Sequence, residues 1–143
     1  MPGVAVIGYG AIGKLVVSGL AETGAADVTS VLVRHGAEAK PPSGVAIVHD
    51  AEGLLASEPA IVVEAAGQQA VREYGVSVLE TGTDLMVIAT GALADDTTHE
   101  ELVSTARAAG ARILLPVGAI TGIDGLTALR ASGLSRVHYT STK

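Results

Sequence analysis

Residues 4–13 read Val4-Ala5-Val6-Ile7-Gly8-Tyr9-Gly10-Ala11-Ile12-Gly13. The first four are apolar and mostly β-branched, so they predict a short strand, and the glycine hexapeptide follows it without a break. Beyond it, Ala11 to about Glu22 has helical spacing, with Ile12, Leu15, Val16 and Leu20 sharing one face and Gly24 placed to stop it. A G-x-G-x-x-G run between a strand and a helix is a phosphate-binding turn in which each glycine has a role. Gly8 makes the tight turn, Gly10 lets a pyrophosphate approach the backbone, and Gly13 lets the helix lie close against the strand. The helix start then offers free N–H groups and partial positive charge to the anion.

The rest of the chain repeats this alternation of short β-branched runs and helical patterns, which predicts a mostly parallel sheet under helices. Val28 to Val33 is a second strand, with Val31, Leu32 and Val33 contiguous and therefore interior. His35 to Gly44 is too short and too rich in Gly, Pro and Ala for a crossover helix, so a loop or a single turn is expected. Val45 to Val48 is a third strand; Asp50 then caps a short helix over Ala51 to Ser57, ended by Pro59. Ala60 to Ala66 is a fourth strand, and Gln68 to Glu80 a helix turning Val71, Tyr74, Val78 and Leu79 inward. Asp84 to Thr90 is a fifth strand. The helix Asp95 to Ala109 follows, acidic in its first turn as the helix dipole favours and stopped by Gly110. Ala111 to Leu115 is a sixth strand. After Pro116 come a glycine-bracketed turn (Gly118 to Gly122), a helical stretch (Ile123 to Ala131) and a strand with polar alternation (Arg136 to Thr140). The fold expected is α/β, a Rossmann-type doubly wound, mostly parallel sheet over residues 1–117. Residues 118–143 read as a linker and the first segment of a second, truncated catalytic or dimerisation α/β domain.

Composition narrows the function classes. Hydrophobic residues make up 48% of the 143, yet Phe and Trp are absent and Tyr occurs three times, so the core is aliphatic. Nine basic against fifteen acidic residues give a net charge of −6, which argues against nucleic-acid binding through a basic face. No run approaches the ~20 apolar residues of a membrane helix, and the chain enters its first strand with no signal-like leader. Zero cysteines exclude disulfides, thiolate metal sites and cysteine nucleophiles, in keeping with a cytoplasmic protein. His35, His49, His99 and His138 have no neighbouring carboxylate arranged as a catalytic dyad, and no histidine–carboxylate set reads as a metal site.

Two features refine the cofactor. At the end of the second strand, where an acid commonly meets the ribose 2′-hydroxyl of NAD, the chain has Arg34, with no acid before Glu38. An arginine there suits the 2′-phosphate of NADP through charge-assisted hydrogen bonds, so NADP is expected to be preferred over NAD, or both used. Small residues also follow the fourth and fifth strands, in Ala65-Ala66-Gly67-Gln68-Gln69 and Thr90-Gly91-Ala92-Leu93, where they leave room for a ligand beyond the strand ends.

These motifs resemble the L-aspartate dehydrogenase family. The resemblance is carried by Ile7 to Gly13, by Val62-Val63-Glu64-Ala65-Ala66-Gly67-Gln68-Gln69-Ala70-Val71-Arg72-Glu73, by Gly91-Ala92-Leu93-Ala94-Asp95, and by Leu115-Pro116-Val117-Gly118-Ala119-Ile120-Thr121-Gly122-Ile123-Asp124-Gly125-Leu126. It implies an NAD(P)-dependent enzyme moving hydride between nicotinamide and aspartate or iminoaspartate. Gly10, Ala11, Ile12 and Gly13 would hold the pyrophosphate, Gly67 and Gln68 would lie along the cofactor, and Gly91, Ala92 and Ala119 would approach the nicotinamide. Members of that family are longer and carry their general acid/base histidine in a second domain. His138 does not occupy that position, so no catalytic residue is assigned, and this chain is expected to bind cofactor and turn over aspartate poorly or not at all. Homoserine dehydrogenase and dihydrodipicolinate reductase relatives share the fingerprint, and a stand-alone NAD(P)-binding regulatory module is a further alternative. The segment beyond about Gly118 lacks a core of its own, so either homodimer formation through it or disorder is expected.

Overall fold

The computed structural model describes residues 1–117, 126, 127, 130, 133–138 and 140. Six strands form one sheet: β1 (Gly3–Ile7), β2 (Asp27–Leu32), β3 (Ala46–Val48), β4 (Ile61–Glu64), β5 (Asp84–Val87) and β6 (Ile113–Leu114). The helices are α1 (Ala11–Thr23), α2 (Ala51–Leu55), α3 (Gln68–Glu80) and α4 (Asp96–Ala109), with a 3-10 turn over Thr90–Ala94. The strand order is β3-β2-β1-β4-β5-β6 and every pairing is parallel. The chain therefore starts in the middle, grows to one edge, and returns to grow toward the other. The Rossmann-type doubly wound sheet expected from the pattern is the fold found, with β1 and β4 flanking the point where the winding reverses.

The two sheet faces are unequal. On one, Ala5, Ile7, Val62, Leu85 and Val87 pack under Leu54 of α2, Val71, Val78 and Leu79 of α3, and Leu102 and Ala106 of α4. Helices α3 and α4 meet closely at Gly75, where a Cβ would lie 2.7 Å from a Leu102 methyl. On the other face Val4, Val6, Val31 and Val63 meet Val17 of α1, and Ile61, Met86 and Ile88 beside them stay only partly covered. Asp50 caps α2 by accepting from Gly53 N at 2.7 Å, and Asp95 caps α4 by accepting from Thr98 N at 2.9 Å. Each such cap is worth roughly 1 kcal/mol.

Several local expectations are corrected. Ile12 is 50% and Leu15 is 72% exposed, so the buried stripe of α1 is Gly13 and Val17, with Val16 and Leu20 at its margin. Gly13 must face β1 to permit the close approach, and that requirement rotates Ile12 and Leu15 outward. β4 stops at Glu64 rather than Ala66, and β5 at Val87 rather than Thr90, because the chain leaves the ladder to form the turns above the sheet. β6 is only Ile113–Leu114, as expected of a strand that among the described residues pairs with β5 alone. α2 ends at Leu55 and not Ser57. Residues 35–44 hold no helix, as their composition required.

The turn Gly118 to Gly122, including Ala119, lies outside the described residues, as does most of the helical stretch after it; Leu126, Thr127 and Arg130 within that stretch are helical. Arg136, Val137, His138 and Thr140 carry no strand, contrary to the alternation read there. Alternation stabilises a strand only when a sheet edge pairs with it and one face is covered. Among the described residues no strand pairs with these, and Val137 is 50% exposed. No helix among the described residues is long and apolar enough to cross a membrane.

Candidate functional site

The carboxyl ends of β1, β2 and β4 converge on a cavity of about 600 Å³. This lies within the range of small-molecule sites, about 300–1,000 Å³. Its floor is the turn after β1. Gly8 has φ +95°, a conformation that L side chains rarely adopt, and a Cβ there would lie 2.8 Å from the Cβ of Ala66. A Cβ on Gly13 would collide with the carbonyl oxygen of Gly8, so the helix can sit this close to the strand end only without a side chain. Gly10 is different: a Cβ there would meet nothing within 4 Å. The space in front of Gly10 is therefore free for a ligand, while Gly8 and Gly13 are required by the protein itself. The N–H of Lys14 is the first taken up inside the helix, by the Gly10 carbonyl at 3.0 Å. The earlier α1 amides, those of Ala11, Ile12 and Gly13, lie at the N-terminus where helix geometry gives them no acceptor in the helix. An open cradle of this kind with a helix N-terminus behind it fits the pyrophosphate of a dinucleotide.

A second wall comes from the end of β2. Arg34 and Glu38 both line the cavity. The chain turns between them, with Ala37 N donating to Arg34 O at 3.0 Å and Gly36 at φ +78°, and this returns Glu38 to the cavity that Arg34 lines. Behind this turn His49 Nδ1 donates to Val33 O at 2.9 Å, and the His49 ring stacks on His35 with centroids 4.5 Å apart. These two histidines thus brace the loop rather than face the cavity. His99 and His138 are solvent-exposed.

The third wall is the loop after β4 with the first turns of α3. Ala65, Ala66, Gln69, Ala70, Glu73 and Tyr74 line it. A hydrogen bond to Glu73 holds the Tyr74 phenol above its ordinary range, helped by partial burial and by the nearby negative charge of Glu73 and Asp50. Gln69 and Glu73 stand four residues apart on one helical face, a spacing that could have drawn attention to them. Tyr9 also lines the cavity, its hydroxyl donating to Lys40 O at 3.3 Å and its ring 5.8 Å from Lys14 Nζ.

Of the residues singled out in the sequence, Gly8, Gly10, Arg34 and Ala66 come together on this one cavity. Ala11 and Ile12 are exposed on the first turn of α1, and Gly13 is buried against β1. Gly67 and Gln68 sit beyond the cavity at the start of α3, and Gly91 lies next to the Gln68 side chain, which a Cβ there would meet at 2.5 Å. Ala92 stands apart, wholly buried in the core with Leu102 and Val87, so its side chain packs rather than faces the crevice. One participant was given no role in the sequence reading. Glu64 is completely buried at the end of β4, with Oε1 accepting from Ala66 N at 2.7 Å and Gly67 N at 2.6 Å, and Oε2 from Ala89 N at 3.0 Å. A single acid closing the run Ile61-Val62-Val63 was the available signal.

Residues 8–116 match the family described as homoserine dehydrogenase, NAD binding domain. The chain belongs to this family. Within it, the curated relatives bear another enzyme's name. L-aspartate dehydrogenase 2 of Bordetella bronchiseptica is 41% identical over 143 residues, covering 98% of this chain and 54% of that protein. L-aspartate dehydrogenase of Archaeoglobus fulgidus is 36% identical over 123 residues, covering 86% of this chain and 49% of its own length. The crystal structure of aspartate dehydrogenase from Thermotoga maritima superposes with a TM-score of 0.71 at 30% identity, over 92% of this chain and 52% of that one. The resemblance to aspartate dehydrogenases drawn from the motifs is thus shown across nearly the whole chain. The dihydrodipicolinate reductase of Paenisporosarcina, at 16% identity and a TM-score of 0.76, shares the fold alone. The chain spans about half the length of the curated relatives it matches.

Proposed function

We propose that this chain is the NAD(P)-binding half of an L-aspartate dehydrogenase, with residues 1–117 as the cofactor domain and 118–143 as the entry to a catalytic domain. The observation that carries the reading is the open space in front of Gly10, at the point where the winding reverses, in a chain 41% identical to a protein named L-aspartate dehydrogenase. Gly8, Gly10, Ala11, Ile12 and Gly13 would cradle the pyrophosphate. Ala66, Gly67 and Gln68 would lie along the cofactor, and Gly91, Ala92 and, by the resemblance, Ala119 would approach the nicotinamide, Ala92 through its backbone. A bound nicotinamide supplies the hydride chemistry, and the protein's part is to bind, orient and exclude water. The substrate class is aspartate with its imine or keto counterpart.

Arg34 supports NADP as the preferred cofactor, since it lines the cavity at the end of β2, where the 2′-phosphate would fall. Glu38, on the same cavity, would repel that phosphate and offer an acceptor to a free 2′-hydroxyl, so the two side chains pull in opposite directions. Fluorescence titration of the 143-residue chain with NADPH and NADH tests both points. NADPH is expected to bind at least tenfold tighter, and Arg34→Ala to weaken NADPH by about ten- to a hundredfold while leaving NADH nearly unchanged. Tighter binding of NADH would overturn the preference, and binding of neither would overturn the cofactor reading. The family description favours homoserine as a second substrate reading. A substrate panel on the full-length enzyme decides between them, aspartate-dependent reduction of NAD(P) being the expected outcome.

A further inference from the structure

We propose that Glu64 is a positioning residue that locks the loops after β4 and β5 into one rigid wall facing the glycine turn, and so sets the geometry in which the cofactor's nicotinamide half binds. The inference rests on the NAD(P) reading above. Its physical basis is the cost of burying a carboxylate. Glu64 has no exposed surface, and among the described residues no cation pairs with it. Its neighbours across the sheet in register, Ile7 and Val87, are apolar and fully buried, so packing alone would be served by an apolar residue. Removing a charge from water is tolerated only when hydrogen bonds replace the lost hydration.

Those hydrogen bonds all come from backbone amides in two turns separated by more than twenty residues of sequence. Ala66 and Gly67 precede α3, where Gly67 has φ +119° and the ladder can no longer supply acceptors. Ala89 begins the turn after β5. The Glu64 carbonyl adds a fourth tie by accepting from Ile88 N at 3.2 Å, and Ala65 N donates across to Ile7 O at 2.8 Å. Three strand ends, β1, β4 and β5, are thereby joined through Glu64 and the residue that follows it. Ala65 and Ala66 are themselves cavity wall, and Ala66 sits against Gly8 with no room for a methyl between them. Gly67 and Ala89, held by two of the three bonds, lie beyond the cavity that Arg34 lines, so losing a bond moves the wall on the side away from Arg34. Gln68 leaning on Gly91 continues the same joint one turn further out.

Glu64→Gln keeps the shape but presents an amide NH₂ to at least one of the three donors, leaving a buried amide unpaired. In the purified 143-residue chain, this variant is expected to bind NADPH about tenfold more weakly. Binding of 2′,5′-ADP, which lacks the nicotinamide half, should stay within about threefold of wild type by the same arithmetic. A residue that merely supports the fold would weaken both ligands alike, so equal losses, or no loss for either, overturn the proposal. Should Glu64→Gln fail to fold, hydrogen exchange of the wild-type protein decides. The amides of Ala66, Gly67 and Ala89 are expected to be protected at least about a hundredfold in the absence of ligand, as internally bonded amides are. Exchange at the rate of an open loop would sink the idea. Failure of wild type to bind either ligand counts against the cofactor reading and leaves the exchange result to judge the clamp.

Discussion

The two sides of the crevice are built by opposite means. On the β1 side the turn from Gly8 to Gly13 gains its shape by omission: side chains are missing where the backbone must come close to itself or to a ligand. On the β4–β5 side the turns gain their shape by addition, through one buried carboxylate that gathers three amides. The first device leaves a motif of fixed spacing, because each glycine serves its neighbour in sequence. The second leaves almost none, because its partners are brought together only by the sheet. Equal precision in a site can therefore come with very unequal visibility.

Substitutions on the β1 side separate protein-directed from ligand-directed glycines. The largest effect is expected at Gly13→Ala. Helix propensity alone would make alanine better by up to ~1 kcal/mol. The clash with the Gly8 carbonyl instead forces α1 off the strand, and a net loss of about 1–3 kcal/mol follows, together with loss of cofactor binding. Urea unfolding of the chain measures it, and unchanged or increased stability would show that the close approach is not required. Gly10→Ala should do the reverse. Its φ of −79° suits any residue and its surroundings are open, so stability should change by less than about 1 kcal/mol. NADPH affinity should fall by about tenfold or more as the methyl enters the ligand's space. An affinity equal to wild type would mean that the pyrophosphate lies elsewhere.

The smallest effect concerns a carboxylate at the other end of the sheet, which sharpens the contrast with Glu64. Asp84, opening β5, takes Arg112 N at 2.8 Å and the Arg112 guanidinium Nε at 2.9 Å, near solvent. A hydrogen bond from the Arg112 side chain, opposed by burial and aided by the Arg112 backbone N–H and charge, holds the Asp84 carboxyl below its ordinary range. A lowered folded-state value means the contribution is present above the unfolded value and is lost as pH falls through the folded one. Asp84→Asn should therefore lower the melting temperature slightly at neutral pH, with the gap to wild type closing below about pH 4. A gap that stays constant from pH 7 to pH 3 would place the effect in packing rather than charge.

Much of the fold was legible because its signals are local. The alternation of β-branched runs with helices, the cap Asp50 and the stop at Gly110 all depend on residues within a few positions of one another. The face of α1 was misjudged because hydrophobic spacing alone does not say which side Gly13 must turn toward the strand. In the candidate site, Arg34 was legible from its distance along the chain after the glycines. Glu38 was passed over, since the turn that returns it to the cavity shows only in three dimensions.

By itself, the sequence determined a parallel α/β sheet, a glycine turn suited to a pyrophosphate, and kinship with aspartate dehydrogenases through runs such as Val62 to Glu73. Each of these is written in neighbouring residues, where sterics and periodicity act directly. Tertiary structure decided which glycines have room for a side chain and which do not, which acid shares the cavity with Arg34, and that Glu64 joins two loops. Those properties depend on distances between segments far apart in the chain, and such distances exist only once the sheet has brought the strand ends together.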